Sequence, residues 1–166
     1  MQTFLYLALS AILVSAGRCA PGPQQPDPSP SIITPLFHAQ FHIEPPLGPI
    51  PAPAGGRIIE PIPRGTVTGA INGTITSGFV APILYSPLGT NFTSTSDAYL
   101  YGVTDSGEVF YVQAAGIGKN GKSVARLSIE AGGAYEYLQS EFVFGRIVTD
   151  FVGGRATLEG FVVAQP

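Results

Sequence analysis

The chain has 166 residues, of which 45% are hydrophobic and 11% are charged, and its formal net charge is -3. So few charges leave no basic face for nucleic acid and no charge run for an electrostatic partner. Its single cysteine, Cys19, excludes an intrachain disulfide, so stability has to come from a buried core.

The first segment of the chain predicts secretion. An uninterrupted apolar run from Phe4 to Ala16 ends in small residues, and it is shorter than the roughly 20 residues that a membrane span requires. We expect residues 1–17 to be a signal peptide and the mature protein to be secreted or to lie in the lumen of the secretory pathway, without a membrane anchor. The sequons at Asn72 and Asn91 fit N-glycans on such a protein. Asn91 lies in a loop by composition and is the better acceptor, whereas Asn72 is followed by glycine and fits a turn.

Residues 18–33 are rich in proline and predict a leader that does not pack. The folded domain is expected at 34–166. Its first run, TPLFHAQFHI, alternates strictly, so that His38 and His42 share the face opposite the phenylalanines. These histidines either line an interior or form a polar outer face, and two side chains from one strand are too few for a metal site.

About nine short alternating runs follow one another along 34–166, separated by Gly, Asn, Pro or Ser. The stretch AYEYLQS departs from strand period and predicts a short helix or loop that closes one end. Glycines inside several runs, such as Gly78, Gly102 and Gly160, favour a closed and strongly curved sheet, because they relieve crowding where strands coil. We therefore predict an all-β domain, a single antiparallel β-barrel of about eight to nine strands.

The stretch GIGKNGKS, at 116–123, fits the phosphate-binding pattern G-x-x-x-x-G-K-[ST]. That pattern binds phosphate only where a helix opens directly after the lysine. Here VARLSIE follows, and it alternates with the period of a strand. Asn120-Gly121 between two alternating runs is instead a strong hairpin signal, so we expect a turn and no nucleotide site.

Several stretches resemble the family known as domain of unknown function 3237. They are Gly56-Arg57, the run from Pro61 to Gly69, Asp105-Ser106-Gly107 ahead of a strand, and Tyr137-Leu138. The resemblance implies a small antiparallel barrel similar to lipocalins and allene oxide cyclases. The segment SGFVAPILYSP departs from the family pattern, in which an acidic and aromatic pair follows an alanine.

The secreted barrel also resembles, in type, fungal proteins of secondary metabolism that act as cyclases, including hetero-Diels-Alderases. Such chemistry needs an apolar cavity and one or two polar groups, and no cofactor or metal. It suits a chain without recognisable hydrolase or metal motifs.

The polar residues of the predicted DAYLYGVTD and EVFYVQAA hairpin are candidates for this chemistry. If their face is lumenal, Asp105 would be the acid and Tyr101 and Tyr111 the donors, with Arg126 as a further catalytic candidate. Each candidate also has a structural alternative. These alternatives are ordinary cross-strand packing of the tyrosines, a hairpin turn at Asp105 and an exposed position for Arg126. The candidates for substrate contact are Tyr99, Gln113, Phe79, Phe142, Phe144, Tyr137 and His42.

Three functions stay open at this point. The first, which we favour, is a cofactor-free cyclase or isomerase that acts on an apolar, oxygenated small molecule inside the barrel. The second is a carrier or dirigent-like protein with the same cavity and no catalytic acid. The third is a structural surface protein whose barrel is filled by its own side chains. Low charge and exposed strand edges are also compatible with a homodimer.

Overall fold

The computed structural model describes residues 32–85 and 93–164. The predicted signal peptide, most of the leader, Cys19 and Asn91 lie outside these ranges. The described residues form eleven strands and one 3₁₀ helix: β1 Ile32–His42, β2 Leu47–Ala52, β3 Gly55–Ile62, β4 Gly65–Gly69, β5 Gly73–Val80, β6 Ile83–Leu84, β7 Thr93–Thr104, β8 Val109–Lys119, β9 Lys122–Ala131, the helix Gly133–Ser140, β10 Val143–Asp150 and β11 Arg155–Ala164.

The strands close into an antiparallel barrel, which confirms the predicted fold. Pairing runs from β4 through β1, β11, β10, β9, β8 and β7 to β5, and β5 pairs back with β4. Strands β3 and β4 share one register against β5 and β6, from Gly56 opposite Leu84 to Val67 opposite Gly73. Each pair is thus one interrupted strand, and the barrel has eight strand positions around it. Strand β2, which the sequence did not predict, lies outside and pairs only with β3.

The stretch that fits the phosphate-binding pattern is a β-hairpin, as predicted. Strands β8 and β9 pair directly up to Lys119 opposite Lys122. Asn120 and Gly121 form the turn between them with φ of 52° and 77°. Because no helix follows the lysine, the backbone amides do not form a phosphate cradle.

One half of the barrel is filled. Apolar side chains from all around the sheet, including Phe37, Leu100 and Phe110, meet there and leave a void of only about 10 Å³. The 3₁₀ helix seals this end with Leu138, which is 1% exposed, while the Gln139 side chain donates a hydrogen bond of 3.0 Å to the Ala131 carbonyl. The stretch AYEYLQS therefore closes one end, as expected. Within the described ranges, no helix has the length and apolar character needed to cross a membrane.

Glycines make the filled half possible. A Cβ atom on Gly102 would lie 2.1 Å from the Thr74 carbonyl oxygen and 2.7 Å from the Phe110 ring. On Gly160, it would lie 2.4 Å from the ring of Phe37. Both glycines point inward at buried positions, so the interior has no room for even one added methyl group.

Replacing Gly102 by alanine should therefore destabilise the barrel. Because the Thr74 backbone and a buried ring would both have to shift, we expect Gly102→Ala to lower the free energy of unfolding by about 2–3 kcal/mol. Urea denaturation of the purified domain measures this. The matched control is Gly132→Ala, whose Cβ would meet nothing closer than Glu108 at 3.8 Å, and a similar loss in both variants would contradict the crowding argument.

Asn72 belongs to the tight turn between β4 and β5. Its side-chain oxygen accepts a hydrogen bond of 3.1 Å from the Gly69 amide, and its Nδ2 donates one of 3.0 Å to the Gly69 carbonyl. Gly69 itself has a φ of 127°, which favours glycine. The Asn72 amide thus has a structural role as a turn residue.

We expect the glycan to be on Asn91 and not on Asn72, whose amide nitrogen is used in the turn. In protein secreted from a eukaryotic host, Asn91→Gln should abolish the mass shift on endoglycosidase treatment, and Asn72→Gln should keep it. Mass spectrometry of both variants decides the point. A shift lost only in Asn72→Gln would overturn the assignment.

Candidate functional site

The other half of the barrel is open and holds a cavity of about 550 Å³. Its walls are mostly apolar, from residues such as Phe41, Ile58, Val80 and Ile147. The β8–β9 turn and the connection after β10, with Phe151 and Val152, form part of its rim. A cavity of this size and character is typical of sites for small organic molecules.

Glu60 is the buried acid of this cavity. It lies on β3 and is 5% exposed. Its side chain makes no hydrogen bond or ion pair to any described residue, and no Lys, Arg or His is found among the described residues that line the cavity. Burial raises the pKa of the Glu60 carboxyl above its ordinary value of 4.5 because an apolar wall disfavours the charged form. The other acids on the cavity wall, Glu44 and Asp150, are exposed.

The sequence reasoning missed Glu60, although a signal was present. In the run RIIEPI, Ile58, Glu60 and Ile62 alternate with Arg57, Ile59 and Pro61, so Glu60 shares a face with two isoleucines. An acid flanked in this way is expected to be buried with them. Arg57, on the opposite face, lies 3.8 Å from the Asp97 carboxylate and donates a hydrogen bond to the Ala81 carbonyl.

The tyrosines proposed as catalytic or binding residues lie outside the barrel, so the interpretation that their face is lumenal is wrong. Tyr101 is 49% exposed, and Tyr99 and Tyr111 lie on the same outer face with Gln113. Apart from Phe110, the inward positions of β7 and β8 hold smaller or aliphatic residues, such as Leu100 and Val112. The four residues therefore come together, but on the outer surface.

The predicted aromatic contacts also lie on the outside. The ring of Phe79 stacks on Tyr99 with centroids 4.9 Å apart, and Phe144 stacks on Phe161 at 5.2 Å. Phe142 is 47% exposed and lies under the Arg126 guanidinium, 5.4 Å from its ring centroid. The prediction that Phe79, Phe142 and Phe144 contact a substrate inside the barrel therefore does not fit their positions. Gly78 and Gly145 occupy the neighbouring inward positions, which places the larger side chains outside.

The remaining predicted residues lie far from the cavity or on the outer surface. Asp105 is exposed in the β7–β8 turn at the sealed end, where its amide donates to the Asn72 carbonyl. Tyr137 is half exposed on the 3₁₀ helix. His42 and His38 form the polar outer face of β1, the second of the two interpretations that the sequence allowed.

The division of the lumen separates the three functional hypotheses. A structural surface protein was expected to have a barrel filled by its own side chains. The half sealed by the 3₁₀ helix is filled in this way, but the open half is not. The cavity is what the catalyst and the carrier hypotheses both require.

The raised pKa of Glu60 leads to a prediction for stability. A group whose pKa is higher in the folded state contributes stability that is present below its unfolded pKa and is lost as pH rises through the folded pKa. Relative to the neutral variant Glu60→Gln, the native protein should lose free energy of unfolding as pH rises above 4.5. Urea titrations of both proteins between about pH 4 and pH 8 test this. If the difference in free energy of unfolding between the native protein and Glu60→Gln does not change with pH, the burial of the Glu60 carboxyl is contradicted.

The barrel is shared with solved structures of low sequence identity. A β-barrel-like protein from Acinetobacter baumannii is 21% identical with a TM-score of 0.70, over 84% of this chain and 100% of the other. A conserved protein of unknown function from Rhodopseudomonas palustris is 20% identical with a TM-score of 0.71, over 82% and 99%. A protein described as an enzyme from Penicillium herquei is 16% identical with a TM-score of 0.67, over 84% and 99%. At these identities the likeness shows the fold alone.

No curated protein matches the sequence significantly. Residues 32–149, which form most of the barrel, match a family described as "Protein of unknown function (DUF3237)". The match covers the stretches of β3, β4, the β7–β8 turn and the 3₁₀ helix on which the resemblance rested. The chain therefore belongs to the DUF3237 family.

Proposed function

We propose that this protein is a cofactor-independent cyclase or isomerase that binds an apolar, oxygenated small molecule in the open half of the barrel. The observation that carries the proposal is Glu60, a carboxyl group with no hydrogen-bond or ion-pair partner among the described residues, in the wall of a cavity of about 550 Å³. The catalytic acid is thus Glu60 and not Asp105.

The protonated form of Glu60 is the chemically useful one. Because burial raises its pKa, the carboxyl group stays protonated to higher pH than an exposed glutamic acid. A neutral carboxyl group in an apolar cavity donates a hydrogen bond to a carbonyl oxygen without competition from water. That bond stabilises negative charge as it develops on the oxygen.

The cavity supplies the second contribution, which is orientation. A ring closure needs two ends of a substrate to be held at contact distance, and apolar walls achieve this without any nucleophile. The aliphatic and aromatic side chains around Glu60, such as Phe41, Ile58 and Val80, fit this role.

A hetero-Diels-Alder reaction is the specific case that we propose. The C=C–C=O unit of a quinone methide and the C=C of an alkene form one C–C and one C–O bond, and no atom is gained or lost. Glu60 donates a hydrogen bond to the carbonyl oxygen of the quinone methide and keeps its proton at the end. Because the cycloaddition transfers no atom or electron to another molecule, it balances without a cofactor or metal.

Two further observations support a catalyst. The fold is the same as that of the Penicillium herquei protein described as an enzyme. A buried acid also costs stability, and functional sites commonly carry such a cost. We also propose that the reaction takes place in the secretory pathway or outside the cell, as the N-terminal segment predicts.

Glu60→Gln should lose catalysis and keep binding. With a quinone methide generated in solution and an apolar alkene, we expect kcat to fall about 100-fold, because the amide is a much weaker hydrogen-bond donor. The dissociation constant of the cycloadduct should change little. Product formation followed by chiral chromatography measures both the rate and the stereochemical control.

Glu130→Gln is the matched control, since Glu130 is exposed on the outer face of β9, and it should retain full activity. Equal rates for Glu60→Gln and the native protein would remove Glu60 from the mechanism. Tight binding of the cycloadduct without any acceleration by the native protein would favour the carrier.

A further inference from the structure

The cavity wall carries a second polar feature besides Glu60. Ser94 and Ser96 of β7 are 7% and 4% exposed, and Ser123 of β9 is half-buried. All three line the cavity. They occupy inward positions, where neighbouring strands carry apolar side chains or glycine.

Two of these hydroxyl groups converge over Gly118 of β8. In the sheet, Gly118 pairs with Ser94 on one side and with Ser123 on the other. A Cβ atom on Gly118 would lie 2.3 Å from the Ser123 hydroxyl oxygen and 3.1 Å from that of Ser94. Because Gly118 has no side chain, both hydroxyl groups have access to the same small volume. We call Ser94 and Ser123 the serine pair.

The serine pair makes no side-chain hydrogen bond to the rest of the described chain. A hydroxyl group in a largely apolar wall is costly unless it finds a partner. Because both hydroxyl groups line the cavity, a ligand oxygen inside it can provide that partner. A hydroxyl group both donates and accepts, so two of them suit a carbonyl or phenol oxygen.

The serine pair is distant from Glu60 around the wall. In the register Glu60 pairs with Val80 and Val80 with Ala98. Ala98 is four residues from Ser94 along β7. Two strand spacings and four residues of strand correspond to about 15 Å along the wall. A molecule that reaches both groups is elongated and has oxygen at both ends.

We propose that the serine pair binds a ketone or phenol oxygen of the substrate at the end remote from the reacting carbonyl group. This inference rests on the proposed function for the assignment of Glu60 to the reacting end. It defines the substrate class as an elongated apolar molecule with a second, non-reacting oxygen. Gly118 is then a specificity-determining position, since its lack of a side chain lets both hydroxyl groups reach that oxygen.

A pair of probes tests the serine pair without any turnover. The probes are 2-acetylnaphthalene, an aryl ketone, and 2-isopropenylnaphthalene, which has nearly the same shape without the oxygen. In equilibrium dialysis against the native protein, we expect the ketone to bind about five- to tenfold more tightly. Added to Glu60→Leu, in which the acid cannot bind the ketone, Ser94→Ala/Ser123→Ala should remove this preference and leave hydrocarbon binding unchanged, which also shows that the cavity is intact.

Three further variants test which residues cause the preference for the ketone. Gly118→Ala should weaken the ketone preference, because the new methyl group displaces the hydroxyl groups. Ser128→Ala, on the exposed face of β9, should retain it. Glu60→Leu should also retain it, which separates the serine pair from the acid.

Equal binding of the two probes by the native protein would overturn the proposal, as would a preference that survives Ser94→Ala/Ser123→Ala in the Glu60→Leu variant. A preference lost in Glu60→Leu would assign it to the acid and also overturn the serine pair. None of these results depends on catalysis. A protein that fails the activity test of Glu60→Gln can still pass this one, so the two failures are distinguishable.

Discussion

Steric crowding inside a closed sheet governs how this barrel is organised. A barrel with eight strand positions has an interior just wide enough for side chains to fill. In the sealed half, large side chains such as Phe37 and Phe110 fit only because Gly160 and Gly102 face them without side chains. In the open half, the inward positions carry smaller residues such as Ser94, Ser96, Ala98 and Ala156, and a cavity is left. The same barrel thus obtains its stability from one half and its candidate site from the other.

The cavity explains why Glu60 is free to act. In a filled interior, a carboxyl group without a partner would be too costly to keep, and it would be replaced by an apolar residue or paired with a base. At the edge of an open cavity the group contacts whatever enters. The loss of stability that we expect from its raised pKa is of the kind that functional sites commonly carry. The serine pair over Gly118 follows the same logic, since its hydroxyl groups also lack protein partners among the described residues.

The outer face has different chemistry from the cavity. Phe79, Tyr99, Tyr101 and Tyr111 cluster there by cross-strand pairing, and elsewhere on the outer face the ion pair of Arg146 with Glu159 bridges β10 and β11. Aromatic pairs of this kind stabilise neighbouring strands. Membership of the DUF3237 family is compatible with several functions, because a fold of this type hosts sites without determining them. The site therefore has to be argued from Glu60 and the cavity around it.

Local sequence patterns predicted most of the strands and the class of fold. Alternation predicted most of the strands, Asn120-Gly121 predicted the β8–β9 turn, and the irregular AYEYLQS stretch predicted the closure of one end. These features are local, because turn chemistry and a period of two residues depend only on neighbours in the chain. Strand β2 was missed because the prolines of its segment argue against a strand, and an edge position outside the barrel tolerates them.

Local patterns did not predict which face of each strand points into the barrel. Alternation shows that Tyr99 and Tyr101 share one face and Ala98 and Leu100 the other, but both faces are apolar enough to be buried. Closure of the sheet resolves this, because the interior accepts the smaller set and leaves the tyrosines outside. The same closure brings Glu60 to a cavity formed by strands distant in sequence. The role of Glu60 as the candidate acid follows from its position in this cavity. No local pattern of residues predicts the cavity, because strands far apart in the sequence form it.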